Sequence, residues 1–480
     1  MKASAVRWLT ACGLVLACGG QAAQKLPPTG QIKLYVTTDA PLPAAPDEPV
    51  YPNEPPALFD RLRIEVFAPG ASEPCEGCSN EWPLDRVKVG DASIGIVPPP
   101  GVSGYVARAR LFRSITVRAD EPPQLSTIDV YSALPAVEAE GITEVTIALR
   151  VRDLGHPVGS LSAPRSFDPD ANHSALDTWP QAARVACPGS PGPGEACIPG
   201  GAFWLGHPDL GFNEDGSDAS ETRLVVVSPF YVDLHEVTVA EYRASGLAKL
   251  EAESSVDPAI GPPELPPPAD TEGALTPNDP QFFCDYSDAA FSSKNSRESL
   301  ALNCVSWEAA SQYCASLGKA LPSEAQFEYM ASGLRSDLFV WGEDPPQCDD
   351  SVWGYGGVGF YFNAPSKCRP PDSLGGPKAP GNGRLDRLPL NGGDVLDLMG
   401  NVNEWTRDYW NRTSEPCWTE RALLENPECD SASAVDGDLR TVKGFSWATQ
   451  PKLAAIRYGA PPATPTEQTQ TGFRCVRAAK

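Results

Sequence analysis

Between residues 31 and 150 apolar and polar side chains alternate in short runs. Gln31 to Thr37, Arg61 to Val66, Ser93 to Val97 and Gly104 to Leu111 each place apolar residues at every second position. Ser114 to Val117, Thr127 to Val130 and Glu144 to Leu149 continue the pattern. A period of two is that of a half-buried strand, and Pro/Gly clusters separate the runs. Seven such runs predict an all-β, antiparallel sandwich over 30–151. Residues 152–183 show no period and read as a linker. From 184 to 480 the helical signals are few. Thr238-Val-Ala-Glu241 and Ser323-Glu-Ala-Gln326 are capping boxes. Ser306 caps a helix whose apolar face is Ala310, Tyr313, Cys314 and Leu317, with Gly318 as its stop. The second of those boxes opens a helix ending near Gly333. Residues 250–282, rich in Pro, Glu, Asp and Ala, read as a disordered surface excursion.

The first residues do not fit either pattern. Lys2 and Arg7 precede the apolar run Trp8 to Ala17, which is too short to span a bilayer. Val15-Leu-Ala-Cys18 followed by Gly19 resembles a bacterial lipobox, in which Cys18 is lipidated. This assigns 1–17 to a signal peptide and 18–29 to a tether. Gly rather than Asp after the cysteine points to an exported protein, lipid-anchored in the cell envelope, at the outer membrane. An ordinary secretory peptide cut near Ala22-Ala23 is the alternative.

Cysteine usage agrees with export. Of 14 cysteines, Cys12 leaves with the signal and Cys18 carries lipid, so an even number remains. Near neighbours pair as Cys75 with Cys78, Cys187 with Cys197, Cys284 with Cys304, Cys348 with Cys368, and Cys417 with Cys429. Cys314 and Cys475 are left as a long-range pair. Disulfides on this scale belong to an oxidising compartment. Cys75-Glu-Gly-Cys78 lacks both a second CxxC and a βαβ setting, so it reads as a small disulfide loop. With Lys+Arg 38 against Asp+Glu 62, the formal charge is −24, which excludes nucleic acid as a partner held by charge.

The C-terminal motifs come in a definite order. Ile198-Pro-Gly-Gly-Ala-Phe-Trp-Leu-Gly206 is followed by Val227 to Tyr242, containing His235-Glu-Val-Thr238. Then come Val305-Ser-Trp307, Tyr313-Cys314 through Tyr329, Val340-Trp-Gly342, Asp397-Leu-Met-Gly-Asn-Val-Asn-Glu-Trp405, Val442-Lys-Gly-Phe-Ser-Trp447 and Gly472-Phe-Arg-Cys475. This series resembles the formylglycine-generating enzyme (sulfatase-modifying factor) family from about 190 to the C-terminus. The resemblance implies an α+β fold with little regular secondary structure, a variant of the C-type-lectin fold. It also implies a disulfide between Cys314 and Cys475.

The family's activity, as the resemblance implies, oxidises a sulfatase cysteine to formylglycine with copper held by two cysteines. Those positions fall at Thr449 and Ala454, and neither side chain replaces a thiolate toward Cu(I). Phe445, Ala320 and Asn403 are further departures. No copper is therefore expected, and no catalytic residue is assigned. The family's iron enzymes rely on a His-rich helical domain, which nothing here matches. Asp397, Gly400, Val402 and Glu404 match a calcium-binding turn of the family, two carboxylates and two carbonyls suited to a hard cation. Calcium is thus the expected cofactor, in a structural role. Trp204, Trp307, Trp341 and Trp405 read as core, whereas Trp447 is a candidate for a ligand groove.

These readings converge on a lipoprotein with a binding or structural role, its ligand a peptide, glycan or envelope protein. Two alternatives stand beside it: an oxidoreductase of the family with relocated catalytic residues, and a spacer in a larger envelope assembly.

Overall fold

The computed structural model describes residues 30–44, 54–84, 93–138, 140–171, 176–208, 222–247, 249–250, 252–259, 280–292, 296–356, 367–370, 375–449, 457–460, 462 and 469–479. Cys18, the signal and tether, Ala454 and most of the 250–282 segment lie outside them.

Among the described residues, seven strands form before residue 150: β1 (Gln31–Thr38), β2 (Arg61–Phe67), β3 (Ser79–Pro83), β4 (Ser93–Ile96), β5 (Val106–Phe112), β6 (Ile128–Ala133) and β7 (Ile142–Leu149). They make two sheets, ordered β4-β1-β7 and β3-β2-β5-β6. Their inward residues, among them Ile32, Leu34, Ile64, Ala109, Leu111, Val130, Val145 and Ile147, share one core. Three details depart from the sequence pattern. The β1–β7 pairing is parallel, not antiparallel. Residues Ser114–Thr116 form a 3₁₀ turn, because Asp60 accepts from both the amide and the hydroxyl of Ser114, at 2.7 and 2.6 Å. Strand β3 has no alternating apolar residues of its own and exists by pairing with β2.

The expected linker is packed structure. Val151, Leu154, Trp179 and Ala182 are buried in the same core, and Val158 and Arg165 bridge to β6. That core does not stop at residue 183 either. Ala202, Trp204, Leu224 and Ala422 belong to it. The Trp204 indole donates to the Leu58 carbonyl at 2.8 Å, and its ring meets Phe59 edge-on at 5.6 Å.

After residue 190 the strands are short and scattered: β8 (Glu195–Ile198), β9 (Gly201–Leu205), β10 (Arg223–Val227), β11 (Phe230–Asp233), β12 (Arg387–Leu388), β13 (Val395–Leu396) and β14 (Asn403–Tyr409). They continue as β15 (Leu423–Glu425), β16 (Arg440–Lys443), β17 (Arg457–Ala460), β18 (Thr471–Gly472) and β19 (Val476–Ala478). They fall into small sheets: β15-β10-β9, β19-β11-β8, β12-β13 and β17-β16-β14-β18. Among the described residues, four short helices accompany them: α1 (Val239–Ala244), α2 (Trp307–Ser316), α3 (Glu324–Ala331) and α4 (Pro416–Thr419). Both capping boxes close as expected, at Thr238/Glu241 and Ser323/Gln326, and Ser306 caps α2. Ala310, Tyr313 and Cys314 are buried on α2, but Leu317 sits past the last turn and is 52% exposed.

All six cysteine pairs form as the sequence groups them. Cys75 joins Cys78 in the hairpin between β2 and β3. Cys187 is bonded to Cys197 on β8, across a separation of 10. Cys284 is bonded to Cys304, which holds a left-handed backbone at φ 53°, and both are fully buried against Ala252. Cys348 is bonded to Cys368 near the surface, and Cys417 to Cys429. Cys314 on α2 reaches Cys475 across a separation of 161. The flanks of the 250–282 segment are packed, with Leu250, Ala252 and Val256 buried. Among the described residues no helix is long and apolar enough to cross a membrane.

Candidate functional site

The turn from Asp397 to Val402 sits at the centre of the C-terminal region. Asp397 and Asn401 adopt left-handed backbone conformations, φ 54° and 67°. Such conformations cost free energy in non-glycine residues and persist only where surrounding contacts fix them. Gly400 has no alternative, since a Cβ there would lie 1.9 Å from Ser351 Oγ. Asn401 is the tie point. Its amide group donates to Glu236 at 2.7 Å and to the Lys378 carbonyl at 3.1 Å, and its carbonyl oxygen accepts from Lys378 N at 2.7 Å. Its backbone amide bonds Val352 O at 2.9 Å, and its backbone carbonyl receives Trp447 N at 2.7 Å.

Four buried carboxylates converge on this turn. Glu236 accepts from Asn401 and, at 3.1 Å, from Val402 N. Asp386 accepts from Ser351 Oγ at 2.9 Å and Met399 N at 2.8 Å. Glu404 faces Arg474, whose Nε lies 2.9 Å from both carboxylate oxygens and whose Nη2 lies 2.6 Å from one. The same guanidinium donates to the carbonyls of Leu396 and Asp397, at 2.8 and 3.0 Å. Asp397 accepts from Gly381 N, and its Oδ1 is buried without a partner. Burial pushes the carboxyl groups of Glu236, Asp386 and Asp397 upward, and neighbouring negative charge adds to it. Burial works against the charge on Arg474, but Glu404 outweighs it and holds the guanidinium protonated.

The expected calcium ligands fit that ion unequally. Asp397 offers an open, buried oxygen, as a hard cation requires. Glu404 has both oxygens committed to Arg474. Among the described residues no group of three or more His, Cys, Asp or Glu side chains is arranged to hold a metal. Sequence reading missed Glu236, Asp386 and Arg474. Arg474 lay within the Gly-Phe-Arg-Cys motif, but nothing in spacing brings residues 236, 386 and 474 to one turn.

The segment matching the copper loop lies next to this turn. Thr449 Oγ1 donates to Ser446 O at 3.2 Å and accepts from Ser446 N at 3.1 Å, so its hydroxyl closes its own turn. Every cysteine from Cys75 to Cys475 is in a disulfide. Trp447, expected to edge a groove, is fully buried. It stacks on Phe283 at 5.1 Å and packs with Val352 and Ala448. Phe445 is likewise fully buried, in the core cluster that also holds Phe327 and Leu398. Trp204 and Trp405 are core as expected. Trp307 is half-buried under Arg440, and Trp341 stacks on Phe339 with its indole bonded to Asp344 O.

The arrangement has relatives. Residues 182–479 match the sulfatase-modifying factor enzyme 1-like domain. Formylglycine-generating enzyme of Mus musculus is 27% identical over 267 residues, covering 52% of this chain and 66% of that protein. The Bos taurus enzyme is 28% identical over 228 residues, 44% of this chain and 57% of that protein. The chain thus spans less than two thirds of the length of these two relatives. Inactive C-alpha-formylglycine-generating enzyme 2 of Mus musculus is 26% identical over 306 residues, 59% of this chain and 85% of that protein. Among solved structures, PvdO from Pseudomonas aeruginosa aligns over 59% of this chain and 93% of its own, with 21% identity and a TM-score of 0.38. Since the matched domain takes up more than half of the 480 residues, this chain belongs to the sulfatase-modifying factor family, whose members include the formylglycine-generating enzymes.

Proposed function

We propose that this chain is a non-catalytic member of its family: an exported lipoprotein that binds or scaffolds at the cell envelope. The observation that carries this reading is Thr449. It stands where the resemblance implies a copper thiolate, and its hydroxyl is tied to Ser446. Cu(I) is held by soft sulfur, and a disulfide sulfur carries no thiolate charge. The relatives include formylglycine-generating enzymes as well as one named as inactive, so the reading rests on Thr449 and not on similarity. In this proposal residues 30–151 form an all-β sandwich domain, and its ligand is a peptide, glycan or envelope protein. Cys18 carries the lipid anchor, at the outer membrane, and Cys18→Ala moves the protein out of the membrane fraction. Calcium belongs to the proposal only through Asp397.

The decisive experiment incubates the purified protein with Cu(I), oxygen and a peptide carrying the sulfatase motif, and reads aldehyde by mass spectrometry. Wild type gives none. Thr449→Cys combined with Ala454→Cys gives aldehyde if the scaffold still presents substrate. Catalytic turnover by wild type overturns the proposal in favour of an oxidase with relocated residues.

A further inference from the structure

A cavity of about 770 Å³ opens where the chain leaving β7 meets the segment 411–434. Its volume falls in the range of ligand-sized sites, roughly 300–1,000 Å³. It lies apart from the Asp397 turn and from Thr449, and none of their residues lines it. Neither region makes it alone. Arg152, Leu154 and His156 form one wall, and the 411–434 segment forms the others.

That segment is braced in place. Cys417 is bonded to Cys429, whose amide is held by Asp408 at 2.9 Å. Arg412 forks onto Asp436 at 2.9 and 3.0 Å. Glu415 accepts from Arg412 N at 2.7 Å and from Ser433 Oγ at 3.0 Å. Strand β15 pairs with β10. A cavity with walls fixed this way loses little entropy on binding.

Its chemistry is two-sided. Its accessible apolar floor is made by Pro416, Leu423, Ala432 and Ala434, with Leu154, Ala422 and Leu424 buried beneath them. The lining carries five carboxylates against two arginines, a net charge of −3 with His156 neutral. Glu428 is partly neutralised by Arg407 at 2.6 Å, and Glu425 accepts from Gln181 at 2.6 Å. Glu420 has no side-chain partner among the described residues, and Asp430 accepts only from Ser431 beside it. Lysine and arginine match that pairing of apolar floor and acidic rim, with an aliphatic stem beneath a cationic head. We infer that this cavity binds a basic polypeptide segment, placing Lys or Arg stems on the floor and their charges at Glu420 and Asp430. The inference rests on the binding-protein reading above and names its ligand class.

The test titrates the full exported chain with a labelled ten-residue peptide of alternating Lys and Ala, and with its Glu/Ala counterpart. The basic peptide binds saturably at one site, and the acidic one does not bind. Glu420→Gln combined with Asp430→Asn weakens the basic peptide by about 10-fold or more. Glu73→Gln combined with Glu76→Gln removes the same charge from the exposed hairpin between β2 and β3 and leaves affinity unchanged. Equal loss in both double variants marks diffuse attraction to an acidic protein and overturns the inference. So does the absence of saturable binding. The aldehyde assay on the same preparation separates the two readings. No peptide binding and no aldehyde sinks the cavity alone, whereas aldehyde sinks the binding-protein reading whatever the peptide does.

Discussion

From residue 31 to residue 149 the chain is held by backbone ladders. Strand β1 pairs with β7 along its full length, β2 and β5 pair from Arg61/Phe112 to Phe67/Val106, and one disulfide closes a three-residue separation. From residue 187 onward the ladders shrink to between two and seven residues per strand, and five disulfides appear. Buried charge is distributed unevenly as well. Glu236, Glu328, Asp386, Asp397, Glu404, Asp408, Lys443 and Arg474 are all buried in the second region. The first buries Glu65, Arg110 and Asp129, on neighbouring strands of one sheet. A ladder satisfies backbone groups whatever the side chains are. A loop-rich core must satisfy them with particular side chains, so its stability is concentrated in few bonds.

The sharpest way to break this comparison is through the disulfides. Chain entropy makes a cross-link worth more as the loop it closes lengthens. Cys314–Cys475 closes a separation of 161 and Cys75–Cys78 one of 3. Replacing the first pair by alanine costs about 5 kcal/mol, and replacing the second about 1.5 kcal/mol. Urea unfolding of both variants measures the difference. Equal losses mean that the second region does not lean on its cross-links more than the first.

Buried charge comes next. Glu404 and Arg474 are both fully buried, so Glu404→Gln strands a guanidinium. Breaking one partner of such a pair costs about 3–5 kcal/mol. Glu81 pairs with Arg63 at 2.9 Å on the open face of the first region, and Glu81→Gln costs about 0.5 kcal/mol. Calorimetry on the two single variants compares them directly.

The seam is the place where the two regions stop being separate. Trp204 lies on β9 of the second region, but Leu58 and Phe59 of the first enclose it. Trp204→Ala removes about 3 kcal/mol of packing and turns one cooperative melting transition into two. A single transition at a lower temperature shows that other contacts, Ala422 among them, are enough to join the regions.

The two regions also differed in how legible they were. Alternation located β1, β2 and β5 because a period of two is a property of neighbours in sequence. It failed where a distant group intervened. Ile115 and Val117 alternate like a strand, yet Asp60 captures Ser114 and bends the chain. Ser79-Asn-Glu-Trp-Pro83 looks like a loop, yet β2 offers it a ladder. In the second region the legible parts were local as well. Thr238 and Ser323 reach only three residues along the chain. Pairing cysteines with their neighbours worked for Cys197, Cys304 and Cys368 because each partner lies within 20 residues. The Asp397 turn was marked by its own motif, but the groups that define its chemistry come from far away. Glu236 meets Asn401 across 165 residues and Arg474 meets Glu404 across 70. Trp447 misled for the same reason, because Phe283, which covers it, belongs to a distant segment.

Calcium is expected to have the smallest effect, and it tests whether the second region draws on one more specific bond. Four buried carboxylates share the turn with Arg474, and burial with mutual repulsion pushes them toward their neutral forms, so a bound cation would favour the ionised forms that burial disfavours. Asp397 Oδ1 is buried without a partner, the one oxygen of the set that a cation can take without displacing another bond. Glu404 differs, because it must leave Arg474 to become a ligand. Most of any calcium affinity therefore offsets a broken ion pair, and the net stabilisation falls below the about 2.7 kcal/mol that a freely assembled site gains at a hundred times Kd. Melting curves of protein stripped of metal, with and without added calcium, should differ by a few degrees. Asp397→Asn should erase that difference while raising the melting temperature of the metal-free protein, since it removes one of the crowded charges. Identical curves for wild type with and without calcium would remove calcium from the turn. A shift that survives Asp397→Asn would place the ion elsewhere in the molecule.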